Sequence, residues 1–221
     1  MADANRTPVE TTEHGVLYSD NTVLIKMVRA SYPFVLKKSE STNDEGVVTS
    51  SYQITGLMPK ETHEDAYKLL RKAITKLLKE ENKGVGVPAN KRFLRDGDPA
   101  DEDDPGKPEN RGMWVVACRE GGKRPQVLSN RKDPKTGKAR RLDPNVQEDV
   151  DMIYGGCWVN ILVRPWFQNN KYGKRVNAGV VAVQFRKDDE PFGSGRISDD
   201  EIDEAFVPDE EVDEPGDFDD L

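Results

Sequence analysis

Residues 153–167 read IYGGCWVNILVRPWF, and their alternation decides the fold class. From Cys157 onward, Val159, Ile161 and Val163 fall on one face of an extended chain, while Trp158, Asn160, Arg164 and Trp166 share the other. A period of two over this length predicts a β-strand with one face turned to a core. The opposite face then carries two tryptophans and an arginine where an ordinary strand would present small polar groups to water.

Outward from this strand the same period recurs. After QNNKYGKR (168–175), which reads as a hairpin tip, VNAGVVAVQFRK (176–187) is a second long strand. Upstream, TVLIKMV (22–28) is predicted as a strand with Val23, Ile25 and Met27 inward and Lys26 outward, and Pro33 confines SYPFVL (31–36) to an edge, a bend or a strand end. VVTSSYQITGLM (47–58) sets Val48, Tyr52 and Ile54 against Thr49, Gln53 and Thr55, and GMWVVAC (112–118) and PQVLS (125–129) are shorter strands. Between residues 61 and 82 the period becomes helical. Ala66, Leu69, Leu70, Ala73, Ile74, Leu77 and Leu78 form one stripe, with Glu61, Glu64 and Asp65 early and Lys76 and Lys79 late. Such a stripe covers the domain's own sheet more often than it meets a partner. KGVGVPANK (83–91) and DGDPADEDDPGKPEN (96–110) are rich in turn formers, and no strand is predicted within them. Five or six strands with one amphipathic helix, about residues 61–82, predict a mainly β fold in the form of a small barrel.

Charge divides the 221-residue chain more sharply than its total of −8 suggests. Residues 188–221 hold 16 Asp and Glu against the single basic residue Arg196, a net of −15, which leaves residues 1–187 at +7. A basic body suits a polyanion, and a tail of like charges with few apolar groups is expected to stay disordered. The expected organisation is a flexible, polar segment at 1–21, a folded domain at 22–187, and a disordered acidic tail at 188–221. No apolar run is long enough to cross a bilayer and residues 1–15 lack a signal-peptide core. The expected location is the cytoplasm.

Tryptophan beside arginine on a non-core strand face is what a nucleic-acid stacking platform requires, since every base has a π-face and arginine neutralises phosphate. The plainer alternative is that one of Trp158 and Trp166 lies under a loop. Beside them, Phe167 and Tyr172 alternate with Lys171, Lys174 and Arg175 at the hairpin tip, and Lys26 and Arg29 precede Tyr32 and Phe34, which are equally at home in a core. Arg119 to Arg141 adds nine basic residues against two acids. Cys118 and Cys157 sit in apolar runs, read as packed thiols, and with only His14 and His63 besides they lack zinc-ligand spacing. The carboxylates at Asp96, Asp98, Asp101, Glu102, Asp103 and Asp104 raise the rival class of a metal-dependent nuclease. They fall in a Gly- and Pro-rich loop without a rigid element to aim them, which catalysis needs. A pure interaction adaptor would leave the basic body unexplained.

Taken in order, VRASYPF, SSYQITGLMPK, FLRDGD, the PQV strand, IYGGCWVNILVRPWF and GVVAVQF resemble the phage single-stranded-DNA-binding proteins with an OB-type barrel, over about residues 22–195. The acidic end GDFDDL resembles the tails of phage and bacterial single-strand-binding proteins, although Phe218 lies three residues from the terminus and the last residue is Leu221. The resemblance implies an OB-type barrel, single-strand binding without strong sequence preference, and roles in phage DNA replication, recombination and repair. It implies no cofactor, and a tail through which Asp217, Phe218, Asp219, Asp220 and Leu221 would meet replication or recombination proteins. A homo-oligomer is left open.

Overall fold

The computed structural model describes residues 6–42, 46–99 and 106–193. Ten strands and two α-helices lie among them. In chain order these are β1 (Pro8–Thr11), β2 (Gly15–Tyr18), β3 (Val23–Thr42), β4 (Val48–Pro59), α1 (Glu64–Glu81), β5 (Leu94–Asp96) and β6 (Met113–Glu120). There follow β7 (Gln126–Lys132), β8 (Ala139–Arg141), α2 (Gln147–Asp151), β9 (Trp158–Asn170) and β10 (Gly173–Lys187). The strands run β5-β6-β4-β3-β9-β10-β7-β8 across one sheet, with β2 also bonded to β3 and β1 to β2. Every pairing is antiparallel except β10 with β7.

β9 is bonded on both sides, Val163 facing Val23 of β3 and Val180 of β10. As its alternation predicts, Val159, Ile161 and Val163 are fully buried. β3 departs from its predicted alternation at a bulge. Pairing steps from Ile25–Ile161 to Val28–Val159, three residues against two, and Met27 takes a positive φ of 53°. Val28 therefore reaches the core, and Met27, expected inward, is only half-buried. A second extra residue lies between Ser31–Thr55 and Phe34–Gln53, where Tyr32 has φ 48°. Pro33 sits in this bend, where a missing donor is tolerated, and both Tyr32 and Phe34 turn outward.

The stripe of α1 is buried as predicted, all seven residues against the sheet. The helix lies so close to β2 that a Cβ on Gly15 would stand 2.8 Å from Leu69 Cδ1. A latch fixes its first turn. Asp65 accepts from the His14 backbone N–H at 2.8 Å and contacts the His14 ring at 3.1 Å. Buried His63 places Nε2 at 3.0 Å and 2.9 Å from the carbonyls of Lys26 and Met27, at the bulge of β3. At the far edge, buried Asp149 of α2 accepts from both Arg140 guanidinium nitrogens at 2.9 Å and 2.6 Å and from the Asp143 N–H.

Phe93 links strands that stand apart along the sheet path: its N–H donates to Val176 of β10 at 2.8 Å, and its carbonyl accepts from Ala117 of β6 at 2.9 Å. The sheet therefore curls enough to bring β6 and β10 to either side of one residue.

Three expectations change. The described residues form ten strands rather than five or six, and α2 is a second helix, because β1, β2, β5, β8 and α2 are only three to five residues long, too short to display a period. Residues 8–18 of the supposedly flexible leader form a hairpin on β3, so the folded body starts before residue 22. A short strand, β5, ends inside the turn-rich region at Asp96.

Burial alone would raise the Asp65 carboxyl, but the N–H groups of His14 and Ala66, the Thr12 hydroxyl and the His14 ring hold it at about 2. A depressed carboxylate stabilises the fold above its unfolded pKa of 3.8 and loses that contribution as pH falls toward 2. Asp65→Asn should then cost about 2 kcal/mol at pH 7, read as a lower urea midpoint. The wild-type midpoint should fall toward that of the variant between pH 4 and 2. His63, which burial and then the neighbouring His14 push below 6.5, adds a shallower loss as pH drops below that value, because the unfolded chain takes the proton first.

Candidate nucleic-acid interface

The alternation that fills the core also sets a second face. Buried Ile54 on β4 sends Gln53 and Thr55 outward; buried Val116 and Cys118 on β6 do the same for Ala117 and Arg119. On β9, buried Pro165 separates outward Arg164 and Trp166, and on β10 buried Val176 separates Arg175 and Asn177. Because the sheet curls at Phe93, these residues other than Arg164 meet along one groove of about 780 Å³. The segment before β6 supplies Lys91, Arg92 and Arg95 to it, so that five cations line the groove with Arg119 and Arg175, and none of the described residues that line it is acidic. Besides buried Phe93, three aromatic rings border it that are open to solvent: Tyr32 at 51%, Trp166 at 44% and Tyr172 at 69% exposure.

Hydrogen bonds hold the groove's polar groups in place. Arg119 donates to Gln53 Oε1 at 3.0 Å, Asn177 to Gln168 Oε1 at 3.0 Å, and Arg92 Nε to the Val87 carbonyl at 2.6 Å. Past Trp166 the surface continues into a pocket of about 400 Å³ that contains Arg164, Lys123 and Arg124 together with Glu120. Cations spaced along a groove neutralise successive phosphates, and exposed rings beside them stack planar groups.

Of the residues selected from sequence, Tyr32, Trp166, Tyr172 and Arg175 line the groove and Arg164 its extension. Lys171 lies 5.0 Å over the Tyr172 ring at the tip, and Lys174 donates to Asn82 at 2.7 Å. Phe167 packs on the core, and Phe34 lines a different cavity. Lys26 donates to the carbonyls of Thr12 and Glu13, on the hairpin of β1 and β2. Lys91, Arg92, Arg95 and Arg119 went unselected. Their signal was present in KRFLR (91–95), three cations around two buried apolar residues, and in the start of the basic run.

Arg29 and Trp158 are covered by the chain itself. Residues 188–192 cross them as a strap: Asp189 accepts from the Trp158 indole and pairs with Arg29 at 3.3 Å, and Arg29 also donates to the Glu190 carbonyl at 2.6 Å. The Tyr154 hydroxyl bonds Asp188 at 3.1 Å, and the Phe192 N–H donates to Gly155 at 2.8 Å. The strap rests on Gly156, at φ 111°, where a Cβ would fall on the Glu190 carbonyl and stand 2.9 Å from Pro191 Cα. The indole N–H, then the Glu190 N–H and the charges of Arg29 and Lys187, hold the Asp189 carboxyl below its usual range.

Asp96 and Asp98, the described part of the acidic cluster, both pair with Lys60, and Asp98 also accepts from the Gly112 N–H. That N–H first and Lys60 second lower the Asp98 carboxyl. Among the described residues no group of three or more His, Cys, Asp or Glu could hold a metal. Cys118 and Cys157 are buried free thiols, pushed by desolvation up to about 12 and about 11. Asp101, Glu102, Asp103 and Asp104 lie outside the described residues, as do Asp217, Phe218, Asp219, Asp220 and Leu221.

A family model described as Enterobacter phage Enc34, ssDNA-binding protein, matches residues 21–214. Among solved structures, the single-stranded DNA-binding protein from bacteriophage Enc34 in complex with ssDNA is 40% identical, with a TM-score of 0.71 over 86% of this chain and 100% of that one. Its C-terminal truncation is 38% identical, with a TM-score of 0.70 over 87% and 100% of the two chains. The Enc34 protein solved by itself is 37% identical, with a TM-score of 0.69 over 90% and 98%. No curated protein gives a significant match. By the extent of the family match and by these identities, the chain belongs to the family of the Enterobacter phage Enc34 ssDNA-binding protein.

Proposed function

We propose that this chain binds single-stranded DNA without strong sequence preference along the groove between β4, β6, β9 and β10. The observation that carries the reading is the groove's composition, five cations and three exposed rings with no acid among its described lining residues. The cations follow the phosphates while Trp166, Tyr32 and Tyr172 offer faces to unpaired bases, an arrangement indifferent to base identity. A family relative has been solved with ssDNA bound, which agrees with this use of the fold. The family is one of DNA-binding proteins and not of enzymes. The curl at Phe93 supports an OB-type barrel in which β6 and β10 are joined through residues 92–94.

In this reading the folded body runs to the strap, and the acidic residues beyond Gly193 form the tail. Those residues hold 13 Asp and Glu against Arg196, a net of −12. Tethered beside a cationic groove, they compete with DNA, and when DNA displaces them the end around Phe218 and Leu221 is free to recruit replication or recombination proteins. The protein then serves phage DNA replication, recombination and repair in the host cytoplasm. No helix among the described residues is long and apolar enough to cross a membrane.

Fluorescence titration with poly(dT) and with duplex tests the reading: the single strand should bind more tightly at equal salt, because a duplex hides its base faces. Equal affinities would reduce the groove to a basic patch. Trp166→Ala should weaken single-strand binding by about 1–3 kcal/mol with an unchanged melt, whereas Trp158→Ala, beneath the strap, should bind nearly as wild type.

Arg95→Ala and Arg119→Ala should each flatten the slope of log affinity against log salt by about 0.7, one phosphate contact on a single strand. An unaltered slope in both would place the DNA elsewhere. Truncation after Gly193 should tighten binding at low salt, and the gain should shrink as salt rises, since screening weakens the tethered competitor. Unchanged affinity at low salt would show that the tail does not enter the groove.

A further inference from the structure

Beside the groove lies a second cavity, of about 720 Å³, whose walls are mainly apolar: Phe34 and Leu36 of β3, Val150 of α2, and Ile153 and Tyr154 in the turn before β9. Phe34 is 42% exposed there, although it is a large ring facing other apolar groups. An open apolar cavity this size is a docking site in want of an occupant. The strap points to one. It is fixed along its length by Tyr154, Trp158, Arg29 and Gly155, and it ends with Phe192 and Gly193 themselves lining the cavity. The 28 residues that follow Gly193 thus start at the cavity's lip.

Four residues on, the sequence reads ISDDEIDEAFVP (197–208). Ser198 and Glu201 have the spacing of a capping box, and Ile197 and Ile202 take the N′ and N4 places of a hydrophobic staple. Asp199, Asp200 and Glu201 fill a first turn where acids complement the macrodipole, and Pro208 stops the helix. On such a helix Ile202, Ala205 and Phe206 share one face and the acids take the rest. Nine or ten residues are too few to hold a helix alone in water, so this signal has a use only where the apolar face finds a surface. The cavity supplies the surface, and of the cations that line it Lys37 and Lys38, the latter bonded to the Gly121 carbonyl, stand on the side open to an acidic face, with Glu109 the one acid among its described lining residues.

We propose that residues 198–207 of this same chain dock in this cavity as a short amphipathic helix, with Ile202 and Phe206 inserted among Leu36, Val150, Ile153 and Tyr154. The occupant is in cis because the tether from Gly193 is only four residues, which gives an effective concentration of millimolar order or above and outcompetes a second copy at ordinary protein concentrations. Docking divides the acidic tail. Its first part becomes a fixed element of the body, and only residues 209–221 stay free. Tyr32 borders both this cavity and the DNA groove, so the free end is rooted next to the groove rather than at Gly193.

This inference stands apart from DNA binding, and its test needs no DNA. The full-length chain, with labelled Ile, Leu and Val methyl groups, is studied by NMR. Nuclear Overhauser contacts are expected from the Phe206 ring to the Val150 and Ile153 methyl groups. The double variant Ile202→Asp, Phe206→Asp should shift the resonances of Leu36, Val150 and Ile153 and leave Ile25 and Leu69, in the main core, unmoved. Since both substitutions lie outside the folded body, the variant keeps its fold, and the unmoved core methyl groups verify this. Cavity resonances unchanged by the variant would overturn the proposal. Contacts appearing only between differently labelled chains in a mixed sample would overturn the cis assignment and make a second copy the occupant.

Discussion

The structure depends on the register of β9 between β3 and β10. A strand bonded on both sides has no freedom to slide, and a shift of one residue would exchange every inward side chain for an outward one. Val159, Ile161 and Val163 would leave the core, and Arg164 and Trp166 would enter it, leaving a guanidinium and an indole N–H to be satisfied among apolar groups. The burial that fixes the fold thus fixes which side chains face the groove. β10 inherits the choice through its pairing, Asn177 opposite Trp166 and Arg175 opposite Gln168.

Charge is segregated on this frame. The groove collects five cations because its walls come from four strands and from the segment around Arg92 and Arg95, and three described acids of the body are paired with other cations. Asp96 and Asp98 are bonded by Lys60, which also lies 4.5 Å over the Trp114 ring, and Asp149 is bonded by Arg140. Each acid so paired is one fewer to cancel the groove's potential. A low-dielectric wall beneath aligned cations focuses the field along the groove, which raises the local concentration of a polyanion before any contact forms.

Much of this was legible in local pattern. The period of β9 and the stripe of α1 show in sequence because each element is long enough to repeat and each buries a single face. The bulges at Met27 and Tyr32 were not, since a positive φ in a non-glycine residue leaves no compositional trace and follows from pairing with β9 and β4. The hairpin at 8–18 hid among polar residues because two four-residue strands carry little apolar material of their own and gain it from β3 and α1. Half of the groove was invisible for a related reason. Lys91, Arg92 and Arg95 belong to a stretch without periodicity, and they reach Arg175 only through the two long-range hydrogen bonds of Phe93.

Trp158 and Arg29 show what pattern alone does not reveal. By residue type they are as suited to DNA as Trp166 and Arg164, and they stand on the same outward faces of paired strands, Arg29 opposite Trp158. The difference lies in what else can reach them. Gly155 and Gly156 offer a bed without side chains, and residues 188–192, leaving the end of β10, are laid on it by chain connectivity. Asp189 then takes from the indole and the guanidinium the contacts that a phosphate oxygen would take, at no cost in translational entropy because it is covalently attached. An aromatic and an arginine on a strand face therefore specify an anion but not whose anion it is. At Trp166 nothing of the described chain lies across the ring, and at Trp158 an acid of the chain's own already does.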